Sequence, residues 1–354
     1  MKILILNRRD IANPAGGGAE IYTHEIAGGL VGRYGCEVVV FSCGFQNSAA
    51  EEVLDGVKYV RKGNEATVHL WGLIHAVQNR KKFDYIIDEF NGIGFFTFFL
   101  QNSILLIHQL YKEFWFRELG TAGAFPYVIE SLLLRLYKGK PAITVSNSTK
   151  EDLRLLGFED ISIVMNAIKQ IPTEIPPEKD SVPLLAYLGR LKSTKRPEDA
   201  IRIWQEVNKK IPGARLIMLG RGPEEENLKK TAKGLKGITF YGWVKEEEKF
   251  ALLRQAHLLL VPGVREGFGI NVIEAAAAGT PAIGYDVPGL RDSIRNGDTG
   301  YLVNSAEEGA SKIVELLNDR ILYKKMALAC LQYAKEFNWN TRVEEFWRIL
   351  CRNK

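Results

Sequence analysis

Two glutamates, Glu266 and Glu274, flank a glycine loop at residues 267–269 and have the clearest chemical setting in this sequence. The loop follows an apolar run at 257–262 that has the length of a buried parallel strand, and it leads into a segment of good helix formers. Such a loop at a helix N-terminus offers backbone N–H groups and the positive end of the helix dipole to anionic or oxygen-rich ligands. We expect both carboxylates to face one crevice and to accept hydrogen bonds from vicinal hydroxyls, as on a sugar and a ribose. Two solvated glutamates are the alternative, but that interpretation does not explain the apolar residues around them.

Two cations follow a second strand-like run earlier in the chain. Arg190 ends the run that begins at Leu184, and Lys195 lies in the loop before a helix whose first turn contains Pro197. Cations at the carboxyl end of a parallel sheet, beside a helix N-terminus, suit a pyrophosphate. From these residues alone, solvated basic side chains remain the alternative.

Strand-like apolar runs alternate with helical stretches in both halves of the chain, which is typical of doubly wound parallel sheets. The predicted strands include 37–42, 85–88, 104–107 and 142–145 in the first half and 184–188, 215–219, 238–241, 258–261 and 281–285 in the second. The proline-rich segment between the halves suits neither a helix nor a central strand. We therefore predict an α/β chain with a first domain at 1–168, a linker at 169–183, a second domain at 184–337 and a final helix at 338–354.

Composition limits the classes of function. The 354 residues exceed the usual size of one domain, and 46% hydrophobic with 25% charged residues is ordinary globular material. A net charge of +5 is small for this length and no base-reading motif accompanies it, so we expect no nucleic-acid partner. Four cysteines without paired metal spacing favour a reducing compartment, and the apolar run at 1–6 is too short for a signal peptide. We expect a cytoplasmic protein.

The glycine-rich loop at residues 16–18 does not form a dinucleotide fingerprint. Ile21 stands where the third glycine of that fingerprint would be, and the next strand run ends at Ser42-Cys43-Gly44 without an acidic residue. A dehydrogenase is therefore not expected.

From Glu266 to Pro281 the sequence resembles the retaining glycosyltransferases of the GT-B fold, in particular glycosyltransferase family 4. The shared pattern is Glu-x7-Glu with Gly-Phe-Gly after the first glutamate and Glu-Ala after the second, followed by a Gly-x-Pro step. The resemblance continues through 284–292 and 296–303, and further landmarks occur in the expected order along the chain. It implies two Rossmann-like domains that face a cleft, with the acceptor in the first domain, the nucleotide-sugar donor in the second, and a last helix that crosses back to the first.

The resemblance also implies a role for individual residues. Arg190 and Lys195 would neutralise the donor diphosphate, Glu274 would bind the ribose, and Glu266 would bind the transferred sugar. His108, after the strand run 104–107, would contact that sugar near its reacting carbon, although a lone histidine at a strand end is more often structural. The implied catalytic residues are His108, Glu266, Arg190 and Lys195. The implied donor-binding residues are these same Arg190, Lys195 and Glu266 with Gly17, Gly18, Gly222, Trp243, Val244, Gly267, Phe268, Gly269, Ile270 and Glu274. The family does not depend on a bound metal, so we expect neither a metal nor another cofactor.

One stretch permits two interpretations. Eight of the 17 phenylalanines lie between Phe90 and Phe125, with the basic residues Arg117, Arg135 and Lys138 nearby. Polar residues interrupt the apolar runs before they reach membrane-spanning length. Core packing is the first interpretation. The second is an apolar and basic surface that rests on the inner face of an anionic membrane and admits a lipid-linked acceptor.

These observations predict a retaining glycosyltransferase that moves a hexose from a UDP- or GDP-sugar to a hydroxyl of a glycan or a lipid-linked acceptor. Transfer to a small soluble acceptor, a GT-B nucleotide-sugar epimerase and a non-catalytic nucleotide-sugar-binding subunit are the alternatives. A phosphorylase of similar architecture would carry a pyridoxal-binding lysine, for which the sequence shows no motif.

Overall fold

The computed structural model describes residues 1–170 and 172–352. Its strands are β1 (Lys2–Leu6), β2 (Glu37–Ser42), β3 (Glu51–Leu54), β4 (Val57–Arg61), β5 (Tyr85–Glu89), β6 (Ser103–Ile107), β7 (Ala142–Thr144), β8 (Ile161–Ile163), β9 (Leu184–Leu188), β10 (Arg215–Leu219), β11 (Ile238–Gly242), β12 (Leu258–Val261), β13 (Ala282–Tyr285) and β14 (Gly300–Val303). Its α-helices are α1 (Gly18–Tyr34), α2 (Val68–Asn79), α3 (Glu113–Leu119), α4 (Ala124–Arg135), α5 (Asn147–Leu155), α6 (Pro197–Lys210), α7 (Glu225–Thr231), α8 (Glu246–Gln255), α9 (Ile270–Ala277), α10 (Leu290–Ser293), α11 (Ala306–Asn318), α12 (Arg320–Ala334) and α13 (Trp339–Arg352).

The chain forms two compact units. The first contains residues 1–112, 124–167 and the C-terminal segment from 338, and the second contains 113–123 and 168–337. The division after Ala167 falls one residue before the predicted boundary. Residue 171 of the predicted linker and residues 353–354 of the predicted last helix lie outside the described residues.

Two segments are grouped differently from the sequence prediction. Residues 113–123, which we assigned to the first domain, belong by their contacts to the second unit. The described linker residues also group with the second unit, where Lys179 donates hydrogen bonds to the carbonyls of Arg254 and Ala256, both at 2.7 Å. Asp180 also pairs with Arg215 at 3.1 Å, so several polar contacts fix this proline-rich segment to the second unit.

The sheet of the first unit has the strand order β3-β4-β2-β1-β5-β6-β7-β8. Its pairs are parallel except for the hairpin of β3 and β4, whose antiparallel edge the sequence pattern did not predict. Every residue of β5 and β6 is buried, which explains the apolar runs Tyr85 to Ile87 and Ile104 to Ile107. The last helix, α13, packs against α1 of this unit, where Gly29 leaves room for Val343.

The sheet of the second unit is entirely parallel among its described strands, in the order β11-β10-β9-β12-β13-β14. Successive residues of β9 enter different cores: Leu185 and Tyr187 pack in one, and Leu184 and Ala186 in the other. Because side chains alternate across a strand, helices must cover both faces of this sheet. This is the doubly wound arrangement that the alternating pattern predicts.

Candidate active site

Ligands of doubly wound sheets bind at the carboxyl ends of the strands, where the strand order reverses. In the second unit this point lies between β9 and β12, which are neighbours in the sheet although β10 and β11 separate them in the chain. The loop after β9 carries Arg190 and Lys195, and the loop after β12 carries Glu266. The topology thus places the residues of two distant sequence motifs together at the carboxyl ends of two neighbouring strands.

Lys195 and Glu266 form an ion pair, with 2.5 Å between Lys195 Nζ and Glu266 Oε2. Both side chains are largely covered, at 26% and 12% exposure, so the pair is shielded from bulk water more than a surface pair would be. An ammonium group has three donors, so Lys195 can retain Glu266 while it donates to a further anionic oxygen. The structure therefore brings together the predicted diphosphate cation and the predicted sugar carboxylate.

The backbone around Glu266 is held by close packing. Its N–H donates to Pro288 O at 3.0 Å. A Cβ on Gly289, which has φ +86°, would lie only 2.1 Å from Glu266 O. Val264 N donates to Thr194 O at 3.0 Å and so ties this loop to the one that carries Lys195. The ion pair rests on two loops with direct backbone contact.

Gly222 supports the loop after β9 from the other side. A Cβ at Gly222 would lie 2.2 Å from Leu191 O, and Leu191 N donates to Arg221 O at 2.9 Å. Only glycine fits between these backbones. The predicted role of Gly222 at the nucleotide is thus joined by a structural one, because any side chain would displace the segment beside Arg190.

The glycine loop leads into α9 as the sequence predicts. Gly269 precedes the helix with φ +84°, a left-handed conformation that favours glycine, and Ile270 is the first helical residue. Phe268 is 2% exposed and its ring packs on Phe337 with 5.6 Å between centroids. Its side chain is therefore a core residue, and only the backbone of Gly267 to Gly269 can serve a ligand.

Glu274 lies one turn into α9 and pairs with Lys249 of α8, with 2.6 Å between Oε1 and Nζ. Burial raises the pKa of the Glu274 carboxyl above its ordinary value, and the charge of Lys249 opposes that rise. Burial also lowers the pKa of Lys249, but the carboxylates of Glu274 and Glu246 outweigh it, so the net direction is upward. Sequence reasoning missed Lys249, because the run Glu246-Glu247-Glu248-Lys249 reads as a solvated helix start.

Three further predicted donor residues of the second unit differ in exposure. Arg190 is exposed, and its carbonyl accepts a hydrogen bond from Tyr187 Oη at 2.9 Å. Trp243 follows β11 with 68% of its surface exposed, which suits a ring that covers a ligand. Val244 instead packs against one of the two cores of the unit.

In the first unit, His108 follows β6 and is held by buried partners. Its Nε2 lies 3.1 Å from Oε1 of Glu89, which is 0% exposed, and Thr23 Oγ1 donates to Glu89 Oε2 at 2.6 Å. A carboxylate only accepts, so Glu89 assigns the proton to Nε2 of the imidazole. The sequence analysis did not identify this partner of His108, which lies close because β5 and β6 are adjacent and parallel and their carboxyl ends meet.

Two further predictions fall in the first unit. Gly17 and Gly18 lie at the start of α1, and the N–H of Gly17 donates to Glu20 Oε2 at 2.6 Å. Asp88, near the end of β5, is 0% exposed and accepts hydrogen bonds from Phe95 N, Thr97 and Tyr137 Oη, so it stabilises the interior of this unit. Burial raises its pKa, and these donors oppose the rise.

The aromatic stretch contains both buried and exposed phenylalanines, so core packing accounts for only some of them. Phe90 and Phe95 are core residues with 0% exposure, whereas Phe99 is 56% and Phe125 75% exposed. None of the helices in the described part of the chain is long and apolar enough to cross a membrane.

Part of the chain matches a known protein family. Residues 170–336, which hold every predicted site residue of the second unit, match the family described as "Glycosyl transferases group 1". The second unit contains a glycosyl transferases group 1 domain. Over 169 residues the chain is 31% identical to D-inositol 3-phosphate glycosyltransferase of Nocardia farcinica. This alignment covers 44% of this chain and 38% of that protein. The alignments with the first relatives cover between 38% and 56% of those proteins' own length.

Solved structures are similar to the whole chain in fold. Sucrose-phosphate synthase from Thermosynechococcus elongatus superposes with a TM-score of 0.81 at 17% identity, covering 99% of this chain and 98% of that one. Anabaena HepE, determined in complex with UDP and glucose, superposes with a TM-score of 0.74 at 16% identity over 99% of this chain and 100% of that one. With its two parallel-sheet α/β units, the chain has the GT-B fold, as the resemblance implied.

Proposed function

We propose that this protein is a retaining glycosyltransferase that transfers a hexose from a UDP- or GDP-sugar to a hydroxyl of a glycan or lipid-linked acceptor. The observation that carries the proposal is the Lys195–Glu266 ion pair at the reversal point of a group 1 domain. A cation for the leaving diphosphate and a carboxylate for the sugar are the two groups that such a transfer requires beside the anomeric carbon.

The chemistry follows from charge. As the bond from sugar to phosphate breaks, negative charge grows on the diphosphate and positive charge on the anomeric carbon. Lys195 and Arg190 would stabilise the diphosphate, and preorganised charges of this kind usually make the largest contribution to catalysis. The departing phosphate oxygen would take the proton of the attacking hydroxyl on the same face of the sugar, which retains the configuration. His108, oriented by Glu89, would contact the sugar.

We further propose that the acceptor is presented at an anionic membrane and that α4 contacts this membrane. Phe125, Val128 and Leu132 share one face of α4, and they are 75%, 50% and 50% exposed. The basic side chains of Arg135 and Lys138 are exposed at the end of this helix and would attract anionic lipids.

The test begins with donors. Thermal stabilisation is measured with UDP, GDP and ADP, and then slow hydrolysis is measured with UDP-glucose, GDP-mannose and related sugars. We expect one nucleotide series to stabilise the protein, the matching sugar to be hydrolysed, and the reaction to proceed equally in EDTA because no step uses a metal. The anomeric configuration of the first product, followed by NMR, should equal that of the donor.

Other outcomes identify the alternatives. An isomerised sugar without any acceptor would indicate an epimerase, binding without hydrolysis or transfer would indicate a non-catalytic subunit, and an inverted product would contradict the retaining mechanism. No stabilisation by any nucleotide would overturn the proposal as a whole.

A further inference from the structure

Helix α3 comes from the first half of the sequence but belongs by its contacts to the second unit. Its N-terminal residue, Glu113, accepts hydrogen bonds from Nε and Nη2 of Arg265, the latter at 3.3 Å. Arg265 is 2% exposed and directly precedes Glu266. A buried guanidinium that loses its carboxylate is costly, so Glu113 holds the backbone of Arg265 and Glu266 through this pair.

The other end of α3 bonds to the loop that carries Lys195. Arg117 Nε donates to Ser193 O at 3.2 Å, and its Nη2 lies 2.5 Å from Glu198 Oε1. Glu118 forms an ion pair with Lys192. One short helix therefore makes polar contacts with both loops that meet at the Lys195–Glu266 pair.

Between these contacts, Phe114 lies under the ammonium group of the candidate site. It is 5% exposed, and Lys195 Nζ lies 5.8 Å from its ring centroid, within the range of a cation–π interaction. The ammonium group of Lys195 thus contacts the carboxylate of Glu266 and the ring of Phe114, and the second of these residues belongs to α3.

We infer that α3 fixes the spacing of the two donor loops and that Glu113 is a positioning residue, acting through Arg265 on Glu266 and its partner Lys195. The inference rests on the proposed function for its catalytic meaning, although the positioning itself is a property of the fold. Reacting groups displaced by about 1 Å lose roughly a hundredfold in rate, so a support of this kind is expected to affect turnover more than binding.

Glu113→Gln tests the inference because it removes the charge and keeps the size. The matched control is Glu52→Gln. Glu52 is 39% exposed and pairs at 2.8 Å with Arg61, whose side chain is 1% exposed, so this variant also breaks a pair between a buried arginine and a part-exposed glutamate. Because Arg61 also keeps Asp10 at 2.7 Å, Glu52→Gln should lose no more thermal stability than Glu113→Gln.

The first measurement does not depend on activity. With limiting acetic anhydride and mass spectrometry, the labelling rate of Lys195 is compared with that of the exposed Lys209 in the same sample. We expect Glu113→Gln to raise the relative rate of Lys195 several-fold, because an ammonium freed from its ion pair and ring is more accessible, and Glu52→Gln to leave it unchanged. An unchanged rate in Glu113→Gln would overturn the inference whether or not the protein transfers sugar.

The second measurement uses the donor that the wild-type protein hydrolyses. Glu113→Gln should lower kcat at least tenfold with less than threefold change in KM, and it should have little further effect in a Glu266→Gln background. An equal loss in both backgrounds would show that Glu113 acts on stability alone.

If Glu113→Gln does not fold, Arg117→Gln tests the opposite end of α3 by the same labelling, since the Arg117 side chain is 40% exposed. A wild-type protein without donor hydrolysis would instead contradict the proposed function and leave the labelling result to decide the positioning.

Discussion

The pair of Glu274 and Lys249 permits a sharp test of how the donor binds. If Glu274 accepts hydrogen bonds from the ribose hydroxyls, Glu274→Gln removes the charge from that acceptor and keeps its shape. Lys249 retains Glu246 at 2.8 Å, so the variant does not leave its ammonium without a counter-charge. The change should therefore act on ligand binding more than on folding.

The expected magnitude follows from the burial of the site. The Glu274 side chain is 14% exposed, so a ribose bound there exchanges water for a charge-assisted hydrogen bond worth about 1.5–3 kcal/mol. Since about 1.4 kcal/mol corresponds to a tenfold change in a dissociation constant, that of the bare nucleoside diphosphate should rise roughly 10- to 150-fold. The ribose is held equally in ground and transition states, so kcat at saturation should change little.

The assay is calorimetric titration with the nucleoside diphosphate and with its 2′-deoxy and 3′-deoxy analogues. The wild-type protein should prefer the ribose form, and Glu274→Gln should lose that preference. Lys249→Arg is the control, because it keeps a cation beside the Glu274 carboxylate, so it should retain discrimination. Glu266→Gln and His108→Ala should bind the bare nucleotide normally, since the transferred sugar is absent from it. Normal binding by Glu274→Gln with weak binding by Glu266→Gln would refute the assigned orientation of the donor.

Two further predictions concern the diphosphate and the membrane. Lys195→Ala should weaken nucleoside diphosphate binding about 10- to 100-fold through loss of a charge-assisted hydrogen bond, as measured by titration. Lys209→Ala, whose side chain is 69% exposed on α6, should not, and equal effects would contradict the assignment. The protein should co-sediment with anionic liposomes at low salt and be released by high salt, and Phe125→Ser should reduce binding more than Phe99→Ser does. Absence of binding at low salt would contradict the membrane contact.

The sequence predicted the second unit well because its central strands are buried on both faces. Such strands read as continuous apolar runs, so β9, β10 and β12 were located to the residue. The antiparallel edge of the first sheet was missed because the residues of β3 are exposed or half-buried and carry charge, as in Glu51 and Glu52. Short polar edge strands lack the signal on which such predictions depend.

The site illustrates the same limit at the level of side chains. Glu266 and Lys195 were predicted from loops that the parallel topology must bring to one edge, and the structure shows them paired. Glu113 was not, because it lies 152 residues from Arg265 and nothing in its local pattern distinguishes it from a solvated helix start. Motifs identify residues that face a ligand, whereas the residues that hold them in place are chosen by whichever segment packs beside them. The supports of an active site are therefore the part of a mechanism that only three-dimensional structure can supply.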